Sequence, residues 1–179
     1  MKKITDRYLL GIISGIGGNI AKSAFEGYLK RNGIIEVTSK EKAAGIFLKK
    51  SDLQTPYGKM VGKIADYMIG AGLGISCVYW LTFMGKDNYL LKGIGLGAME
   101  WTALYGVVAS MGATSIFPVK SKDAYISLLS HVVFGGTKIF LAKKLGDDKL
   151  FHPQNLLSSD NLEQEQEYKT PPETPGDGP

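Results

Sequence analysis

Long apolar stretches with almost no charge dominate the middle of this chain. Residues 67–85 contain no charged side chain, residues 93–119 contain only Glu100, and residues 124–142 contain only His131 and Lys138 as ionisable groups. A hydrocarbon core ~30 Å thick is crossed by roughly 20 such residues at ~1.5 Å rise each. A helix on the surface of a soluble bundle would instead carry a polar stripe along its whole length. Residues 8–29 form a fourth, more mixed segment that includes Asn19, Lys22 and Glu26. Its apolar start after two lysines imitates a secretory leader, with Ala21, Ser23 and Ala24 as a cleavage-like site. Five glycines in the segment and Lys22 within that site favour an uncleaved helix. The pattern predicts an all-α membrane protein of four transmembrane helices, at about residues 8–29, 64–85, 93–115 and 124–145. Together these make one domain, 1–146.

The connectors add two elements. The stretch 30–63 is basic, and Thr38 with Glu41 three residues later has the form of a capping box opening a short helix. Ala43, Ala44, Phe47 and Leu48 give that helix an apolar face, bounded by Lys40, Lys42, Lys49 and Lys50. Such a segment lies on anionic lipid or is an ordinary charged connector; the residues leave both open. Thr55-Pro56 has the form of a start signal for the second span, and Ser121 or Asp123 for the fourth. Residues 147–179 are acidic, proline-rich and without periodicity, and end in TPPETPGDGP. Such a composition cannot bury enough apolar area to offset the entropy of ordering, which predicts a disordered tail.

Charge and cysteine content narrow the chemistry. Residues 1–146 hold 19 Lys and Arg against 9 Asp and Glu, whereas residues 147–179 hold 8 acids against 2 lysines. The single cysteine, Cys77, excludes an internal disulfide and a cysteine-based metal cluster, and reads as a small packing residue. The basic connector lacks interleaved aromatics, so a membrane partner explains its charge better than nucleic acid. The count of basic residues in the connecting segments favours neither orientation, and the charge density of the short terminal segments leads to the expectation that both termini are cytoplasmic.

Small residues recur on one face of each span. Gly11, Gly15, Gly18, Lys22 and Glu26 share a face of the first; Lys63, Asp66, Gly70, Gly74 and Cys77 one of the second; Ala124, Ser127, His131, Gly135, Lys138 and Ala142 one of the fourth. The third has two such faces, one with Gly93, Gly97 and Glu100 and one with Gly95, Ala98, Thr102, Gly106, Ala109 and Ala113. It therefore packs centrally or offers a face to a second copy in a homo-oligomer. Helices in lipid associate by close backbone approach over small residues. Gly15, Gly18, Gly70, Gly74, Gly93, Gly97 and Gly135 are accordingly the expected packing positions. The same stripes carry Lys22, Glu26, Glu100 and His131. On the termini-in arrangement Lys22, Glu100 and His131 lie at depths of roughly 21, 15 and 20 Å, taking ~1.5 Å per residue. They form a candidate intramembrane polar cluster, read either as a proton- or ion-handling site or as pairs that hold the bundle in register. Those pairs would be Lys22 with Glu26 or Glu100, and His131 with a neighbour. Lys138 reads as snorkelling to an interface, and Asp66 as lying at one.

No catalytic, cofactor-binding or metal site is expected. The AKS at residues 21–23 has no preceding glycine of a phosphate loop, Gly15, Gly17 and Gly18 lack the third glycine of a dinucleotide fingerprint, and His131 and His152 are isolated. The glycine-rich first span, long polar first loop and the stretch SLLSHVVFG at residues 127–135 resemble small bacterial inner-membrane proteins of the YagU-like kind. That resemblance implies an accessory membrane protein in stress or acid tolerance, without an assigned catalytic residue. Two functions are thus expected in turn: an accessory or structural membrane protein, or a proton- or ion-coupled transporter or channel subunit.

Overall fold

The computed structural model describes residues 3–152, and these are helical throughout apart from turns and one isolated bridge between Ile4 and Gly146. Helix α1 spans Arg7–Arg31. It starts where Asp6 accepts the Leu9 amide at 2.6 Å, and Lys30 and Arg31 occupy its last turn, where cations complement the helix dipole. The short α2, Ser39–Ala44, opens on the Thr38/Glu41 capping box. Helix α3, Pro56–Met84, is capped by the Thr55 hydroxyl on the Gly58 amide and begins on proline, whose missing donor costs nothing there. Gly85 at φ 72° ends it. Helix α4, Tyr89–Trp101, continues as a π-helical stretch, Thr102–Ala113, that Gly112 at φ 84° terminates. Helix α5 is Ser121–Leu145.

Helix α1 packs between α3 and α5, and α4 packs on α5. Neighbours in this row run in opposite directions: Gly11 faces Ile75 while Gly15 faces Gly70, and Gly93 faces Ile139 while Gly97 faces His131. Most of these contacts are made to backbone. A Cβ on Gly15 would overlap the Gly70 carbonyl oxygen, one on Gly97 that of His131, and one on Gly135 that of Gly93. Gly74 sits on Gly15 and Gly18 on Phe134 and Lys138. Helix α4 therefore lies at the edge of the row. Added side chains at Gly95 would meet nothing and at Gly106 only its own Thr102, so the central placement of the third span is not found.

The two ends of the bundle differ. At one, Ile4 hydrogen-bonds Leu145 and Asp147, Thr82 Oγ1 donates to the Leu150 carbonyl at 2.9 Å, and Leu10, Val78, Leu81, Ile139 and Phe151 form an apolar core. The packed body therefore runs past residue 146. Asp148–Phe151 is a 3-10 turn with Leu150 and Phe151 buried, so the boundary drawn at 146 falls too early. The rest of the segment expected to be disordered lies outside the described residues. At the other end α2 sits on the start of α3, with Gly62 against the Lys40 carbonyl. The turn after α4 pins α2 through Thr114 Oγ1 to the Lys42 carbonyl (3.0 Å) and the Ser115 amide to that of Gly45 (2.8 Å). The expected apolar face of α2 is only partly present: Ala43 and Ala44 are buried, but Phe47 is exposed.

Helices α3 and α5 are long and apolar enough to cross a membrane. The outward faces of all four long helices are strongly apolar. Ile12, Ile13 and Ile20 of α1, Met60 and Met68 of α3, Leu91 and Met99 of α4 and Leu129 and Phe140 of α5 are all exposed.

Candidate functional site: two buried charge pairs

Most ionisable residues of the helix faces turn inward; Lys63, near the start of α3, is exposed. Lys22, Glu26, Asp66, Glu100, His131 and Lys138 are each buried, because the small residues beside them bring the helices close enough to cover them. Their partners differ from those the spacing suggested. Lys22 does not meet Glu26 or Glu100. Its Nζ lies 2.7 Å from Asp66 Oδ1, and Asn19 Nδ2 donates to the other carboxylate oxygen at 2.9 Å. Asp66 is thus the buried partner of Lys22 and no interfacial residue. Glu100 pairs with Lys138, whose side chain is fully covered and does not snorkel; its Nζ also lies 3.4 Å from the Leu73 carbonyl.

Each pair joins an inner helix to an outer one: Lys22–Asp66 links α1 to α3, and Lys138–Glu100 links α5 to α4. The buried ring of Phe134 separates them. Its centroid is 5.5 Å from Lys22 Nζ and 4.4 Å from Lys138 Nζ, so one aromatic ring helps to offset two desolvated cations. Glu26 has a different task. Its carboxylate accepts the Ser39 amide at 2.9 Å and the Ser39 hydroxyl at 2.6 Å, which ties the first residue of α2 to α1.

His131 lies beside the pairs without joining them. Its Nδ1 is 2.8 Å from the Ser127 carbonyl oxygen. A carbonyl only accepts, so this nitrogen carries the hydrogen. The ring meets Tyr105 edge-on at 5.3 Å and Phe134 at 6.4 Å. Several polar atoms nearby are buried with no hydrogen-bond partner among the described residues: Asn19 Oδ1, Ser23 Oγ, Glu100 Oε2, Trp101 Nε1 and Ser127 Oγ. None of the main clefts on the described surface is lined by Lys22, Glu26, Glu100 or His131. No group of three or more His, Cys, Asp or Glu side chains among the described residues could hold a metal ion.

The basic connector divides. Lys49 and Lys50 are exposed and Lys40 is half-buried, but Lys42 is buried, so it is not part of a surface lysine patch for lipid. Burial holds Lys42 below the usual lysine range, against the field of Glu26 and Asp123. On Glu41, burial pushes the carboxyl up. Hydrogen bonds from Lys30, the Thr38 amide and Gln54 outweigh it and leave the group below its usual range.

Asp66, Asn19, Lys138, Phe134 and Ser39 complete the cluster and were not in the expected set. Asp66 and Lys138 stand on the same small-residue stripes as Gly70 and Gly135, and that shared face was the available signal. No family model, curated protein or solved structure matches this chain.

Proposed function

We propose that this chain is a non-enzymatic accessory protein of a bacterial plasma membrane, with four spans held together by internal charge pairs. The observation that carries the reading is that both lysine–carboxylate pairs are closed off inside the helix row. A charge facing lipid costs several kcal/mol, and four spans remove that cost by turning the mid-span groups Lys22, Asp66, Glu100 and Lys138 inward, leaving Lys143 and Lys144 exposed at the end of α5. Helix α1 is too mixed in sequence to span alone, yet with Lys22 and Glu26 buried its outer face presents Leu9, Ile12, Ile13 and Ile20. Its position between α3 and α5 also argues against its removal as a leader. Helix α4 and its π-helical continuation match the others in length. The meeting of Ile4 with Gly146 supports termini on one side, assigned here to the cytoplasm. The open face at Gly95 and Gly106 would accommodate a second copy.

The test is reconstitution into liposomes enclosing a pH-sensitive dye. Under an imposed gradient, vesicles carrying folded protein should leak protons no faster than empty ones. A second reading, a proton- or ion-coupled transporter or channel subunit, is favoured by the unpartnered Glu100 Oε2 and Ser127 Oγ, which a water-filled path would satisfy. Flux abolished by Glu100→Gln in a folded preparation would establish that reading and overturn the first.

A further inference from the structure

One cation of the connector is largely buried and unpaired, and reaches a surface only at a cleft. Lys42 is 4 % exposed, and its ammonium has no carboxylate within ion-pair distance and no hydrogen-bond acceptor among the described residues. Its one close partner is the Tyr105 ring, 4.6 Å from Nζ to centroid. Glu26 and Asp123 act on it through the field alone: Glu26 is held by Ser39, and Asp123 Oδ1 lies 3.3 Å from the Glu36 amide. A buried charge without a direct partner is costly, so its retention at this place calls for an account.

Lys42 lines a cleft of about 270 Å³ between α2, the π-helical stretch and the start of α5. Trp101, Tyr105, Phe117 and Pro118 make most of the wall apolar. Trp101 also has a buried indole N–H with no acceptor. The N-terminus of α5 opens on the same cleft through Ser121 and Ala124, and no side chain caps it. Its first amides lack intrahelical partners, and the helix dipole favours an anion there. An apolar wall with one cation and uncapped amides matches a molecule that is greasy along most of its length and carries an oxyanion at one end.

We propose that this cleft binds one acyl-chain amphiphile, with its carboxylate or phosphate head on Lys42 and its first methylenes against Trp101, Tyr105 and Phe117. The chain would continue into the surrounding bilayer, so the proposal rests on the membrane reading above.

The experiment is an equilibrium binding measurement on full-length protein in a neutral detergent, with tritiated palmitate as the probe. Saturable binding is expected at one palmitate per chain. Unlabelled palmitate or dioleoyl phosphatidate should displace it, and whichever does so at lower concentration identifies the natural head. Hexadecanol, which has the chain without the charge, should need at least tenfold more. Lys42→Met, which keeps the stem and removes the charge, should weaken binding at least tenfold, and Lys42→Arg should restore most of it. Equal competition by hexadecanol, or unchanged binding in a Lys42→Met protein with wild-type helix content, overturns the proposal. So does displacement by inorganic phosphate as effective as that by palmitate, because the chain would then contribute nothing. Flotation of the same preparations with vesicles separates the two levels. Protein that floats but does not bind palmitate refutes the cleft alone, whereas protein that does not float refutes the membrane reading.

Discussion

Single residues decide how the cluster is held. Removing one member of a buried ion pair leaves the other charge uncompensated, which costs about 3–5 kcal/mol, while replacing both with apolar groups is often neutral. Lys138→Met and Glu100→Leu should therefore each lower the thermal midpoint in detergent sharply, and the double variant should recover most of the loss. Equal, additive losses would mean that the two side chains do not depend on each other. The spacing of the sequence placed these residues on inward faces but not against the right partners. A face fixes the angle around the helix axis, whereas the partner depends on which helix is the neighbour, and α1 lies between α3 and α5. Lys138 reads from the sequence as snorkelling, because a long lysine stem can carry its ammonium to an interface. A helical side chain leans back toward the N-terminus, and the lysine stem brings its ammonium level with Glu100. Glu41 supplies a pH test. Its folded value lies below the usual 4.5, so its contribution is complete above about pH 4.5 and is lost as pH falls through the lower folded value. Protease sensitivity within residues 45–55 should rise on acidification below pH 4.5. Glu41→Gln should show the raised sensitivity already at pH 7 and respond less to acid.

Among the elements, two glycines on one helix give a controlled comparison. A side chain on Gly97 would run into the His131 backbone, whereas one on Gly95 would meet nothing. Gly97→Leu should cost ~3 kcal/mol or more, at the upper end of overpacking, because backbone cannot repack as a side chain can. Gly95→Leu should leave the melting midpoint of the monomer within the scatter of wild type. A Gly95→Leu loss as large as that of Gly97→Leu would mean that α4 is buried on both faces. The all-helical character, the two apolar helices and the α2 capping box were legible, since each is written in local pattern. The π-helical stretch was not. Thr102–Ala113 has no proline, and its small and apolar residues suit an α-helix equally well. The fate of the connector was also hidden, because Lys42 turns inward only once Thr114 and Ser115 arrive from 72 and 67 residues further on to pin its segment.

For the molecule as a whole, the proposed function requires a four-span body in which the mid-span charges Lys22, Asp66, Glu100 and Lys138 are turned away from lipid. The turn at Thr5, the α3–α4 connection and the end of α5 then share one side, and the α1–α3 connector and the α4–α5 turn share the other. Single cysteines test this directly in a Cys77→Ala background, since Cys77 is buried and is the chain's only thiol. The four sites are Thr5→Cys and Asp87→Cys at one end, and Ser51→Cys and Lys122→Cys at the other; all four residues are exposed. Intact cells are treated with a membrane-impermeant maleimide and compared with permeabilised ones. The account predicts that Ser51→Cys and Lys122→Cys label in intact cells, and that Thr5→Cys and Asp87→Cys label only after permeabilisation. Labelling of Thr5→Cys without Asp87→Cys, or of all four positions alike in intact cells, would contradict it.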